Sequence, residues 1–168
     1  MIFQQIKASY IADEDRLLLR ISTANFEEFR LWMTRRLCLY LLLEIESLSI
    51  NILTEKHSEL SAKTIDSFNQ ETLEKQINFD TNYTPINKLP FGAEPVLIKS
   101  ITMKKIENKT ALSLVLANKK TITTHMESTA LNAIRLLFKR TSIQAGWLTM
   151  PVINKANQTN LSPAINLH

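Results

Sequence analysis

The residues that could do chemistry are few, and their spacing is informative. Zinc sites draw on His and Cys in close pairs. His57, His125 and His168 lie far apart, and none neighbours Cys38, the sole cysteine. No metal centre is expected. Asp13, Glu14, Asp15, Glu27 and Glu28 would converge at one end of a hairpin, and paired carboxylates can move protons or hold a cation. Their spacing fits no calcium loop, and an acidic turn beside solvated strands is the commoner explanation. No serine stands in a G-x-S-x-G setting. Cys38 lies inside the apolar run Leu37 to Leu43, where a free cysteine reads as a packed small hydrophobe rather than a nucleophile.

Glycine usage narrows the field further. The chain has two glycines, Gly92 and Gly146, against an ordinary share of about 7%. Loops that cradle phosphates need glycines so that backbone N–H groups can approach the anion. Two isolated glycines write neither a P-loop nor a dinucleotide fingerprint. No cofactor and no catalytic residue is legible, and a non-enzymatic module is expected.

Charge is the remaining chemical signal. Residues 1–93 hold ten Lys/Arg against thirteen Asp/Glu, a net of −3, whereas residues 94–144 hold nine against three, a net of +6. Lys109, Lys119 and Lys120 fall at expected turns and would form one basic edge. With Lys104, Lys105 and Arg135 they are the candidate contacts to nucleic acid or to an acidic partner. Turn lysines are also ordinary solvated surface, and the second-half strands lack aromatic residues to stack on bases.

These residues must be positioned by the elements around Asp15 to Leu53. Leu17, Leu19 and Ile21 alternate with Arg16, Leu18 and Arg20, the period of a strand with one buried side. Phe29, Leu31 and Met33 alternate with Glu28, Arg30 and Trp32 in the same way. Ser22-Thr23-Ala24-Asn25 would close the hairpin, setting Arg16 and Arg20 across from Glu27 and Glu28. Leu18 and Trp32 share that charged face, which implies a face not fully open to water. Thr34 can cap the helix that follows. That helix carries a stripe of Leu37, Leu41, Ile45, Leu48 and Ile52, widened by Cys38, Leu42 and Leu53, so burial on more than one side is expected. Glu44 and Glu46 interrupt it, short of the roughly 20 apolar residues of a membrane span. Trp32, Leu39, Tyr40 and Leu43 are the candidate interface residues, because the helix is more apolar than a core of this size needs.

Phe3 to Ile11 reads as a first strand, and Lys56 to Ile77 as a continued or second helix. Asn78, Asn82, Pro85, Pro90, Gly92 and Pro95 mark an irregular connector over 78–93. Beyond it, Val96 to Ile106, Thr110 to Ala117 and Lys120 to Thr124 read as strands. Thr124 to Glu127 fits a capping box for a helix running to about Gln144, with Leu131, Ile134, Leu137 and Phe138 inward. Gly146 suits a left-handed cap, with Trp147 folding back. The expected fold is a single α+β domain over 1–147, with halves 1–77 and 94–147. Each half is an antiparallel three-stranded meander followed by a helix, in the order βββα-βββα. Residues 148–168, polar and Asn-rich, read as a flexible C-terminal tail.

The stretches EDRLLLRIST and EFRLWMTRRL, within the first quarter of the chain, resemble the N-terminal region of an uncharacterised group of proteobacterial proteins. The resemblance implies a bacterial origin and no particular activity. The order of the elements is similar to that of single-strand nucleic-acid binders of the Whirly and PUR type. The start MIFQQIKASY lacks a basic segment followed by an apolar one, so no secretory signal is read and the cytoplasm is the default location. Two functions are compatible with these readings, the first of them expected and the second its alternative. One is a small protein-interaction or assembly module, with an unknown partner or a second copy and no membrane. The other is a single-stranded nucleic-acid binder, favoured if Arg16, Arg20, Arg30 and Trp32 lie on an open sheet face.

Overall fold

A chain that alternates Leu17, Leu19 and Ile21 with half-buried Arg16, Leu18 and Arg20 buries one set only if it is extended. The computed structural model of the protein, which describes residues 1–79, 82–148 and 164–166, shows that outcome in strand after strand. The elements are β1 (Phe3–Ile11), a 3-10 turn at Ala12–Glu14, β2 (Arg16–Thr23), β3 (Glu28–Thr34), α1 (Arg35–Thr54) and α2 (Glu59–Gln76), then β4 (Val96–Ile106), β5 (Lys109–Leu116), β6 (Thr121–Met126), α3 (Ser128–Gln144) and β7 (Ala164–Asn166).

All seven strands join one sheet in the order β6-β5-β4-β3-β2-β1-β7. β1, β2 and β3 form one antiparallel meander, and β4, β5 and β6 form the other. The two meet through a short parallel pairing, Leu31 with Val96 and Trp32 with Leu97. A parallel neighbour requires a crossover, which α1, α2 and the connector supply. β7 adds antiparallel to β1, so part of the expected tail is a sheet strand; 149–163 and 167–168 lie outside the described residues.

One face of the sheet carries the core. Leu17, Leu19, Ile21, Phe29, Leu31, Met33, Ile98, Leu112, Leu114 and Ile122 are buried there together with Leu41 and Cys38 of α1 and Ile134, Leu137 and Phe138 of α3. Each fully buried side chain of this kind is worth about 1.5–3 kcal/mol of transfer free energy. The sheet curls around these helices. A cavity of about 20 Å³ is lined at once by Phe3 and Ile6 of β1, Leu112 and Leu114 of β5, and Leu41, Ile134 and Phe138 of the helices. The Met1 amino group donates to the Thr123 carbonyl of β6 across 3.2 Å, so the outer strands of the two meanders approach each other.

The α+β class is as read from the sequence, but the order is βββαα-βββα. Lys56 to Ser58 break the long helical stretch, and Ser58 Oγ accepts from Ser61 N–H to start α2 as a separate helix. Thr34 caps α1 as expected, its hydroxyl accepting from Leu37 N–H. The capping box at Thr124 does not form. β6 continues to Met126, Thr124 is buried in the core face, and the N-cap of α3 is Glu127 with no side-chain cap bond. Ser22 and Thr23 are buried strand residues, so the first hairpin turns later, through Phe26 at φ 55°. By length and composition α1 does suffice to cross a membrane, contrary to the expectation. Here it is packed on the sheet and on α3, with Leu37, Cys38, Leu41 and Ile45 buried.

Candidate nucleic-acid interface

The polar halves of the strand patterns build the opposite face of the sheet, where no helix packs among the described residues. The register places Trp32 of β3 beside Leu18 of β2 and Leu97 of β4. Arg30 lies two residues back along β3 and opposite Arg20, while Arg16 lies opposite Thr34. Same-face diagonal neighbours in a sheet are about 7–8 Å apart. Trp32 therefore sits in the middle of Arg16, Arg20 and Arg30, and all four are half-buried. Lys7 of β1 extends the row opposite Arg20. Lys104 of β4 is exposed on the same face, and Lys99 is exposed at the bulge between Ile98 and Ser100.

Two arginines directly opposite each other repel unless a counter-charge joins them. Glu28, 1% exposed, is that counter-charge. It accepts from Arg20 Nε and Nη2, both at 3.0 Å, and from Arg30 Nε at 2.8 Å. The Tyr83 hydroxyl (3.1 Å) and the Ile86 backbone N–H (3.2 Å) complete its shell. Burial alone would raise the Glu28 carboxyl, but the bonds from Arg30, Ile86 and Arg20 outweigh it and hold it below the usual range. Burial, followed by the Glu28 charge, pushes the Tyr83 phenol well above its ordinary value. The Arg20 guanidinium lies 4.8 Å from the Tyr83 ring centroid. Arg30 Nη1 donates to the Ala93 carbonyl at 3.3 Å, and Lys88 pairs with Glu27 at 2.8 Å. The connector thus braces the end of the first meander through Tyr83, Ile86, Lys88 and Ala93. Arg16 pairs with Glu14 at 3.4 Å, not with Glu27.

The second-half cations do not form one edge. Lys109 opens β5, whereas Lys119 and Lys120 follow its end. Successive hairpins turn at opposite ends of a sheet, and eight residues of strand separate them by about 26 Å. Lys120 lies 4.6 Å from the Phe91 ring. Lys105 pairs with Glu55 at the end of α1, 2.7 Å away. Arg135 is in the helical layer, bound to Asp66 at 2.8 Å and Glu46 at 3.0 Å, its side chain 12% exposed. None of the six proposed contacts joins the arginines: Lys104 shares their face, but it lies seven residues along β4 from Leu97, the neighbour of Trp32, about 23 Å away. The proposed interface residues also divide. Trp32 is on the helix-free face, while half-buried Leu39 and exposed Tyr40 and Leu43 are on α1 across the sheet.

Two clefts lie elsewhere. One of about 430 Å³ is lined by Phe3, Leu73, Ile77, His125 and Ala133. The other, about 310 Å³, lies between Lys56, His57, Lys105, Asn108 and Ser128. No group of three His, Cys, Asp or Glu side chains able to hold a metal occurs among the described residues, and His168 lies outside them. Comparison with protein-family models, with curated proteins and with solved structures gave no match to this chain.

Proposed function

We propose that the protein binds single-stranded nucleic acid on the helix-free face of its sheet. The supporting observation is the placement of half-buried Trp32 amid Arg16, Arg20 and Arg30. Single-strand binders combine a cationic track for the backbone with an aromatic surface for bases. Lys7 and Lys99 extend that track across β1 and β4. Counted with its acids, the face stays cationic, because Glu28 neutralises one charge of two arginines and Glu14 balances Arg16. A duplex would hide the faces of its bases from Trp32.

Binding of the purified chain to labelled single-stranded DNA and RNA at two salt concentrations tests this. Affinity is expected to fall steeply with salt, with a log–log slope of about −0.7 for each phosphate contacted. Trp32→Ala is expected to weaken binding by about 5- to 100-fold, the worth of one stacked base. Lys7→Glu with Lys99→Glu should weaken it further, while Lys119→Glu should not. Absence of binding at low salt would sink the proposal.

A second reading, an assembly module, rests on a different surface. Leu43 of α1 and Leu60 and Phe68 of α2 are 66%, 79% and 67% exposed. Large apolar side chains left in water on neighbouring helices support association with a second copy or a protein partner. Light scattering on the wild type and on Leu43→Asp with Phe68→Asp separates the two readings.

A further inference from the structure

The arrangement around Glu28 goes beyond a cationic track, and its use as a ligand site rests on the nucleic-acid reading. Arg20 and Arg30 face each other on adjacent strands, with Cβ atoms about 5 Å apart. Arg20 spends Nε and Nη2 on Glu28. Arg30 spends Nε on Glu28 and Nη1 on the Ala93 carbonyl. A guanidinium offers five N–H donors, so Arg20 Nη1 and Arg30 Nη2 keep donors without an acceptor among the described residues. The two side chains remain 24% and 30% exposed, while that of Glu28 is fully enclosed. One carboxylate therefore orients two forks and leaves one positive charge between them.

Trp32 follows Arg30 by two residues on the same face, about 7 Å along the strand. That backbone spacing is of the order of the separation between a base and the phosphate of its own nucleotide, and the arginine side chains carry their donors from there toward Glu28. Leu18 and Leu97 flank Trp32 in register and widen the apolar surface under a base.

We infer that Arg20 and Arg30 clamp one backbone phosphate while the base of the same nucleotide stacks on Trp32. The ligand is a single nucleotide unit, held at its non-bridging phosphate oxygens and at one base face. Glu28 touches neither and is a positioning residue. The connector carrying Tyr83 and Ile86 holds Glu28 in turn. A fork-shaped donor matches phosphate in a way that the point charge of lysine does not.

The test uses the full chain carrying Trp147→Phe, so that Trp32 is the only fluorophore of its kind. Decathymidylate is expected to quench Trp32. Arg20→Lys with Arg30→Lys keeps the charge and should weaken binding about tenfold or more through loss of the forks, leaving the salt slope unchanged. Arg16→Lys should have no such effect. A second measurement needs no clamp variant. Thymidine 5′-monophosphate should quench Trp32 at concentrations about tenfold lower than thymidine does, and inorganic phosphate should not quench it. If decathymidylate binds but the lysine variant matches its parent, or if thymidine and its monophosphate act alike, the clamp is overturned and the nucleic-acid reading stands. If decathymidylate does not bind at all, both fall.

Discussion

Arg135 Nη1 of α3 lies 2.8 Å from Asp66 Oδ2 of α2, and Arg135 Nη2 lies 3.0 Å from Glu46 Oε2 of α1. One guanidinium thus ties all three helices, and the Asp66 side chain is 7% exposed. Removing Asp66 strips Arg135 of its buried partner and leaves only the half-exposed Glu46 to offset its charge. Asp66→Ala is expected to lower the stability of the fold by about 3 kcal/mol, measured by urea unfolding. Replacing Asp66 and Arg135 together by Leu and Met should recover most of that loss. Neither change should alter oligonucleotide affinity, because the pair sits across the sheet from Trp32.

A chain with two glycines must place other residues in left-handed turns. Phe26, Glu107 and Lys119 have φ of 55°, 53° and 65°, each at or beside a hairpin turn. A Cβ in that region costs roughly 1 kcal/mol. Glu107→Gly and Lys119→Gly are therefore expected to raise stability by up to about 1 kcal/mol each, less the added freedom of the unfolded chain. Phe26→Gly should gain at least as much, since the ring is 72% exposed and little packing is lost. Thermal melting of the three variants checks the direction.

Sequence patterns carried some of these elements and missed others. β1 and β4 run from Phe3 to Ile11 and from Val96 to Ile106, as alternation and flanking breakers imply. Gly146 takes φ 69°, and Trp147 N–H folds back to the Ser142 carbonyl, as a glycine after a helix implies. Leu18 on the same charged face already implies the half-buried state of Trp32. The break between α1 and α2 is not legible as a break, because Lys56-His57-Ser58 contains neither glycine nor proline and only Ser58 signals a start. The expected basic edge fails on geometry that strand counting could have supplied, since Lys109 and Lys119 bracket one strand. Tyr83 is invisible to pattern reading because it reaches Glu28 from 55 residues away through an irregular segment. The one signal for it is the opposition of Arg20 and Arg30, which demands a shared acid.

Cys38 is fully buried, and its sulfur lies 3.3 Å from Ser142 Oγ. Burial pushes the thiol up to about 11, against a smaller opposing effect of Ser142. The thiolate is the reactive form, so the native protein should resist alkylation at pH 8 and react only as it unfolds. The labelling rate in increasing urea is expected to follow the unfolding curve. Fast labelling of the folded protein would show that α1 and α3 open locally around this residue.

Glu28 links the stability of the first meander to pH. Its folded carboxyl titrates below the ordinary range, because hydrogen bonds from Arg30, Ile86 and Arg20 outweigh burial. A group depressed in the folded state contributes its full stability above the unfolded value, about 4.3 for glutamate. It loses that contribution as pH falls through the lower folded value. Glu28→Gln removes the charge that joins Arg20 to Arg30 and is expected to cost about 3 kcal/mol at pH 7. The gap between variant and wild type should stay constant down to about pH 5 and then narrow as the wild-type carboxylate is protonated. Urea unfolding from pH 7 to about pH 2.5 measures that gap. A gap that does not change with pH would mean that Glu28 acts through its shape and not through its charge.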